Sequence, residues 1–146
     1  MKGNLKLLRS QARVAMVYLD VAAGLVDMYP TDLAILSCLW DAKTATAGEL
    51  ARMVNLSSGA ATAAIDRLER AGFVSREADL SDRRKVVVRF EKIPAKFEKI
   101  QKMVEDEWEK MFNDYNDKEM ARVVAMMDQA NDVLKNIIEE IYKSEK

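Results

Sequence analysis

Between Thr46 and Phe90 the apolar residues change their repeat once, and the change is punctuated at both ends. Through Thr46–Gly72 they recur at three- and four-residue steps, the period of a helix face. From Phe73 onward they alternate or run together in short β-branched stretches, as strands do. Thr46 and Glu49 stand three apart, the spacing of a capping box that opens a helix carrying Leu50, Met53 and Val54. Asn55 suits the left-handed backbone of a tight corner, and Leu56 is placed to plug that corner. Ser57 caps the next helix, whose inward face is Ala61, Ala64, Ile65 and Leu68 at i, i+3, i+4 and i+7, and Gly72 closes it. Strands are expected over Phe73–Glu77 and Lys85–Phe90, with Ala78–Arg84 as a polar hairpin loop. Helix, turn, helix and hairpin in that order predict a winged helix-turn-helix.

The flanks are helical. Leu5, Leu8, Ala12, Met16, Leu19, Ala23 and Val26 mark one face of a long helix that ends before Pro30. Thr31 is placed as the N-cap of a short helix through about Asp41, with Asp32 in its first turn. The apolar residues Leu33, Ile35, Leu36, Cys38, Leu39 and Trp40 cover most of its circumference, so it is expected to be central and buried. After Pro94, Phe97, Ile100, Val104, Trp108, Met111 and Tyr115 form one stripe. Met120, Val124, Met127, Val133, Leu134, Ile137, Ile138 and Ile141 form another, with Asp117 as the expected cap between them. Such narrow, heptad-like seams call for a partner, and a two-fold dimer base built from both termini is the economical arrangement. The fold class expected is mainly α with a small β-hairpin wing. One domain spans 1–146, with a winged helix-turn-helix lobe over 31–92 and dimerisation helices over 1–29 and 94–146.

The chain of 146 residues contains no histidine and a single cysteine, Cys38. That removes the commonest general base, the commonest zinc ligand, any internal disulfide and any cysteine metal cluster, so no enzyme, no metal and no cofactor is expected. Cys38 lies in an apolar helix without neighbouring cations in sequence, which favours a buried inert thiol over a redox sensor. No apolar run reaches the length of a membrane helix, and the amino terminus has a basic start without a cleavage-like site. A mature, cytoplasmic protein with no membrane partner is therefore expected. Net charge is −1, unevenly placed: nine basic against six acidic residues over 50–92, and nine against thirteen over 93–146. The middle segment thus carries the positive footprint expected of a phosphate-binding face.

The second helix of the motif offers Ser57, Ser58, Gly59, Ala60, Thr62 and Ala63 to an approaching surface. Small side chains let a helix backbone come close to base edges, hydroxyls bond phosphates or bases, and a methyl meets the thymine methyl. Arg67, further along, is placed for phosphate; Arg70 has Asp66 four residues before it as a ready ion-pair partner. The hairpin supplies the remaining charge. Arg83, Arg84 and Lys85 lie at its tip, where an arginine can enter a narrow minor groove, and Asp82 can buttress Arg84. The partner expected is double-stranded DNA; the alternative is a winged helix used as a protein-interaction module without specific DNA binding.

These residues carry a resemblance. Thr31-Asp32-Leu33, Gly48–Ala51 (GELA), Leu56–Ala60 (LSSGA), Ile65–Gly72 (IDRLERAG) and the Asp79…Asp82-Arg83-Arg84 wing resemble the MarR family of bacterial and archaeal transcriptional regulators, over about sixty continuous residues. The Asp-x-Arg of the wing is the family's most distinctive element. The resemblance implies a homodimer on a pseudo-palindromic operator, with the helix from Ser57 in the major groove and Arg84 in the minor groove. It also implies a repressor released by a small aromatic effector, held between the dimer base and the DNA-binding lobe, and a short third strand near Lys43–Ala45. After the wing the family commonly has Leu-Thr and a downstream glycine, whereas this chain reads Phe90-Glu91-Lys92-Ile93-Pro94, so the hinge into the last helices is not carried over.

Overall fold

The computed structural model describes residues 2–79 and 86–144, with side chains from residue 6 onward. Among the described residues six helices and three short strands follow in the order α1 (Lys2–Leu25), α2 (Pro30–Ala42), β1 (Thr44–Thr46), α3 (Ala47–Met53), α4 (Ser58–Arg70), β2 (Val74–Ala78), β3 (Val86–Phe90), α5 (Ala95–Phe112) and α6 (Asp117–Ser144). The contacts group Met1–Gln101 into one compact unit and Lys102–Lys146 into a second.

The local signals of the helix-turn-helix are present in atomic form. The Thr46 hydroxyl accepts from the Glu49 amide at 3.2 Å while the Glu49 carboxylate takes the Thr46 amide at 2.7 Å, the reciprocal pair of a capping box. Asn55 takes the corner with φ 53. Ser57 Oγ accepts from the Ala60 amide at 3.2 Å. At the far end of α4, Gly72 stands at φ 72. Its amide reaches the Glu69 carbonyl, and that of Phe73 reaches the Leu68 carbonyl, a Schellman ending that satisfies the last carbonyls.

Two helix starts differ from expectation. Thr31 does not cap α2: the N-cap is Tyr29, without a side-chain bond, and Pro30 occupies the first helical position. Proline's fixed φ suits that position and its missing N–H costs nothing there, so the helix begins two residues earlier than a Thr31 cap would set it. Asp117 likewise lies inside α6. The cap is Asn116, whose Oδ1 accepts from the Lys118 and Glu119 amides at 3.0 and 3.1 Å, while the Glu119 carboxylate returns to the Asn116 amide.

The sheet is antiparallel with strand order β1-β3-β2. β1 pairs Ala45 with Val88, and β2 pairs Arg76 with Val88, so β3 is central; β1 is the third strand expected beside Lys43. The main core gathers Ile35, Leu36 and Leu39 of α2, Leu50 of α3, Ala64, Ile65 and Leu68 of α4, and Val74 and Val88 of the sheet. A second cluster joins Ala22 and Ala23 of α1 to Leu33 and Phe97. Trp40 bridges toward it, stacked on Phe90 and edge-on to Phe97. In contrast, α6 has no buried residue, and Val124, Leu134, Ile137, Ile138 and Ile141 are all about half exposed.

A Cβ added at Gly72 would meet no atom within 4 Å, so only the left-handed backbone opposes a side chain there. Gly72→Ala is expected to lose about 1 kcal/mol, the left-handed penalty of an L-residue, measured as a lower urea midpoint with an unchanged m-value.

Candidate nucleic-acid interface

Ala61, Ala64, Ile65 and Leu68 of α4 face inward and are buried, which leaves the opposite face of the helix to solvent. Ser57, Ser58, Gly59, Ala60, Thr62 and Ala63 are all exposed, and a Cβ at Gly59 would enter open space. The six small residues expected to meet a partner therefore form one accessible surface around the helix N-terminus, where amides and the helix dipole favour a phosphate. Their hydroxyls are partly committed. Ser57 accepts the capping bond, and Thr62 donates to the Ser58 carbonyl at 2.9 Å, leaving its methyl and an acceptor lone pair outward.

Arg67, expected to meet phosphate, is also engaged within the protein. Its Nε and Nη2 donate to Asp32 Oδ2 and Oδ1 at 2.7 and 2.6 Å, a bidentate pair joining α4 to the first turn of α2. The Asp32 side chain is 5% exposed and that of Arg67 is 40% exposed. The guanidinium also lies over the Tyr29 ring, 4.8 Å from its centroid. The bond to Asp32 raises the Arg67 pKa further, so the charge is permanent. What Arg67 keeps for an outside anion is its Nη1 edge.

The other flank of α4 is held from the sheet. Arg76 of β2 donates to Asp66 at 2.5 Å and also to Glu69, and its backbone amide reaches Glu69 Oε1 at 3.0 Å. Asp32 and Arg76 thus brace the helix from opposite sides. The sequence offered no signal for either pairing, because a carboxylate near a helix start and an arginine in a strand each have ordinary local roles. Asp66, the i−4 neighbour of Arg70, is paired with Arg76 rather than with Arg70.

The wing is described at its root, where β2 and β3 pair from Val74–Phe90 to Ala78–Val86. Asp82, Arg83, Arg84 and Lys85 lie outside the described residues. Cys38 is part-buried, and burial together with nearby Asp41 pushes its thiol pKa up, the direction of an unreactive thiol. Among the described residues no group of three or more His, Cys, Asp or Glu could hold a metal ion, and no single helix is long and apolar enough to cross a membrane.

Residues 28–86 match the model of the MarR family. An uncharacterized HTH-type transcriptional regulator of Bacillus subtilis, YcgE, is 41% identical over 87 residues, which cover 60% of this chain and 56% of that protein. The chain thus spans little more than half the length of that relative. Among solved structures, a MarR family transcriptional regulator from Silicibacter pomeroyi is similar at TM-score 0.63 and 20% identity, over 89% of this chain and 86% of that one. The transcriptional regulator BldR from Sulfolobus solfataricus is similar at TM-score 0.58 and 23% identity, over 92% and 96%. At these identities the structures share the fold.

Removing Arg67 strands a buried carboxylate. Arg67→Met is expected to destabilise by about 2 kcal/mol, below the roughly 3–5 of a fully buried pair because Arg67 is part-exposed. Adding Asp32→Asn is expected to recover part of that loss in urea unfolding.

Proposed function

We propose that this member of the MarR family, matched to it through residues 28–86, regulates transcription by binding double-stranded DNA as a homodimer. The observation that carries this reading is the outward face of α4. Its first two turns are small, exposed and capped, and the helix is braced on both flanks, so it presents a preformed surface that fits a major groove. Direct readout there comes from Ser58, Thr62 and the methyls of Ala60 and Ala63. Phosphate contact comes from the α4 N-terminus, the Nη1 edge of Arg67, and the wing residues Arg83, Arg84 and Lys85. Arg84 is assigned to the minor groove with Asp82 behind it.

The dimer reading rests on exposed apolar faces. Val14, Met16, Val17 and Val21 of α1, Trp108 and Met111 of α5, and Leu134, Ile137, Ile138 and Ile141 of α6 are all more than a third exposed. Apolar area on that scale calls for cover, and a second copy of the chain supplies it through a two-fold axis. Repression relieved by a small aromatic effector completes the reading. A cleft of about 190 Å³ lined by Val26, Met28, Tyr29, Asp32, Arg67 and Phe73 offers an effector a ring and a guanidinium edge.

A duplex containing the promoter nearest the gene tests the reading. Binding is expected to weaken steeply with salt, with a slope of roughly −0.9 per neutralised phosphate. Arg84→Ala is expected to weaken it by at least about tenfold while the dimer persists; unchanged affinity would remove the wing from the interface. Leu134→Glu is expected to yield monomers by light scattering, and a variant that stays dimeric would remove α6 from the dimer base.

A further inference from the structure

Arg70 ends α4 on the midline of its outward face. It follows Gly59 and Ala63 by eleven and seven residues, so all three lie on one line, opposite the buried Ala61, Ala64, Ile65 and Leu68. It is exposed, and it makes no ion pair or hydrogen bond among the described residues, although Asp66 stands at i−4, the geometry in which helix ion pairs form. Asp66 and Glu69 are instead both occupied by Arg76. The other α4 cation, Arg67, is engaged by Asp32. Every other charged side chain on α4 is therefore paired within the protein, whereas Arg70 has no such partner among the described residues.

We propose that Arg70 is a phosphate-contacting residue of the recognition helix, and that Arg76 is a positioning residue that holds Asp66 and keeps Arg70 available. The proposal rests on the DNA-binding reading above. Its geometry follows from helix length. Arg70 lies about 16 Å along the axis from Gly59, whereas a major groove is about 12 Å wide. When the N-terminal turns sit against base edges, the last turn stands over the bank of the groove, where phosphates are. Without Arg76, Asp66 is free to capture Arg70 and present a neutral pair in its place.

The test is a salt titration of fluorescent duplex binding, with operator and with random sequence, using variants whose fold is checked by circular dichroism. Arg70→Gln is expected to reduce the salt slope by roughly 0.9 for each Arg70 that reaches a phosphate, and to weaken operator and random duplex by the same factor. Arg76→Gln is expected to reduce the slope similarly. Adding Asp66→Asn to Arg76→Gln is expected to restore it, a recovery that simple loss of structure cannot produce. Should Arg76→Gln unfold, Arg76→Lys, which gives up the second carboxylate, is expected to show an intermediate slope. A slope unmoved by Arg70→Gln overturns the contact and leaves the DNA reading standing. A reduced slope in Arg76→Gln that Asp66→Asn does not restore overturns the positioning role. Wild-type protein that binds no duplex overturns the DNA reading and the contact with it.

Discussion

Burial of Ile65 and Leu68 of α4 among Ile35, Leu36 and Leu39 of α2 and Val74 and Val88 of the sheet is the contact on which the rest of residues 28–90 depends. Each fully buried Ile or Leu contributes roughly 1.5–3 kcal/mol, more than any exposed ion pair supplies. The cluster also draws on every element of the lobe, since α2 lies beneath, α3 contributes Leu50 and the sheet closes one side. Because the buried positions of α4 follow one stripe, their burial decides which residues face out. Gly59, Ala63 and Arg70 are surface residues by consequence.

An apolar stripe fixes the facing of a helix more tightly than its roll, since side chains can repack with small rotations. The two ion-pair systems add angular constraint. Asp32 holds Arg67 through both carboxylate oxygens, and Arg76 holds Asp66 and Glu69 from the other side. A bidentate pair tolerates little rotation of either plane. The exposed pair members contribute little to stability. Their effect is on the orientation of α4. With two acidic and two basic residues, α4 is neutral overall.

Much of this was legible in the sequence where the determining partners are close in the chain. The Thr46–Glu49 box, the left-handed Asn55, the Ser57 cap and the Gly72 ending each depend on residues within a few positions, and each appears as expected. Thr31 and Asp117 are not the caps their side chains suggest, because hydroxyl and carboxylate preferences compete with proline at the first helical position and with asparagine one residue earlier. The first hairpin strand runs over Val74–Ala78, one residue later than Phe73–Glu77, since pairing along β3 rather than propensity sets its ends.

The sequence by itself determined the order of elements, the inward stripe of α4 and a resemblance to one regulator family over residues 28–86, because periodicity and capping are local physics. Only the tertiary structure decided which charges remain available. Asp32 meets Arg67 across 35 positions, and Arg76 reaches back ten to take Asp66 from Arg70. Those encounters depend on how α2, α4 and β2 pack, and no local rule chooses among several oppositely charged candidates. The change of period between Thr46 and Phe90 thus announced a helix-turn-helix backed by a small sheet, and folding left Arg70 exposed on its second helix.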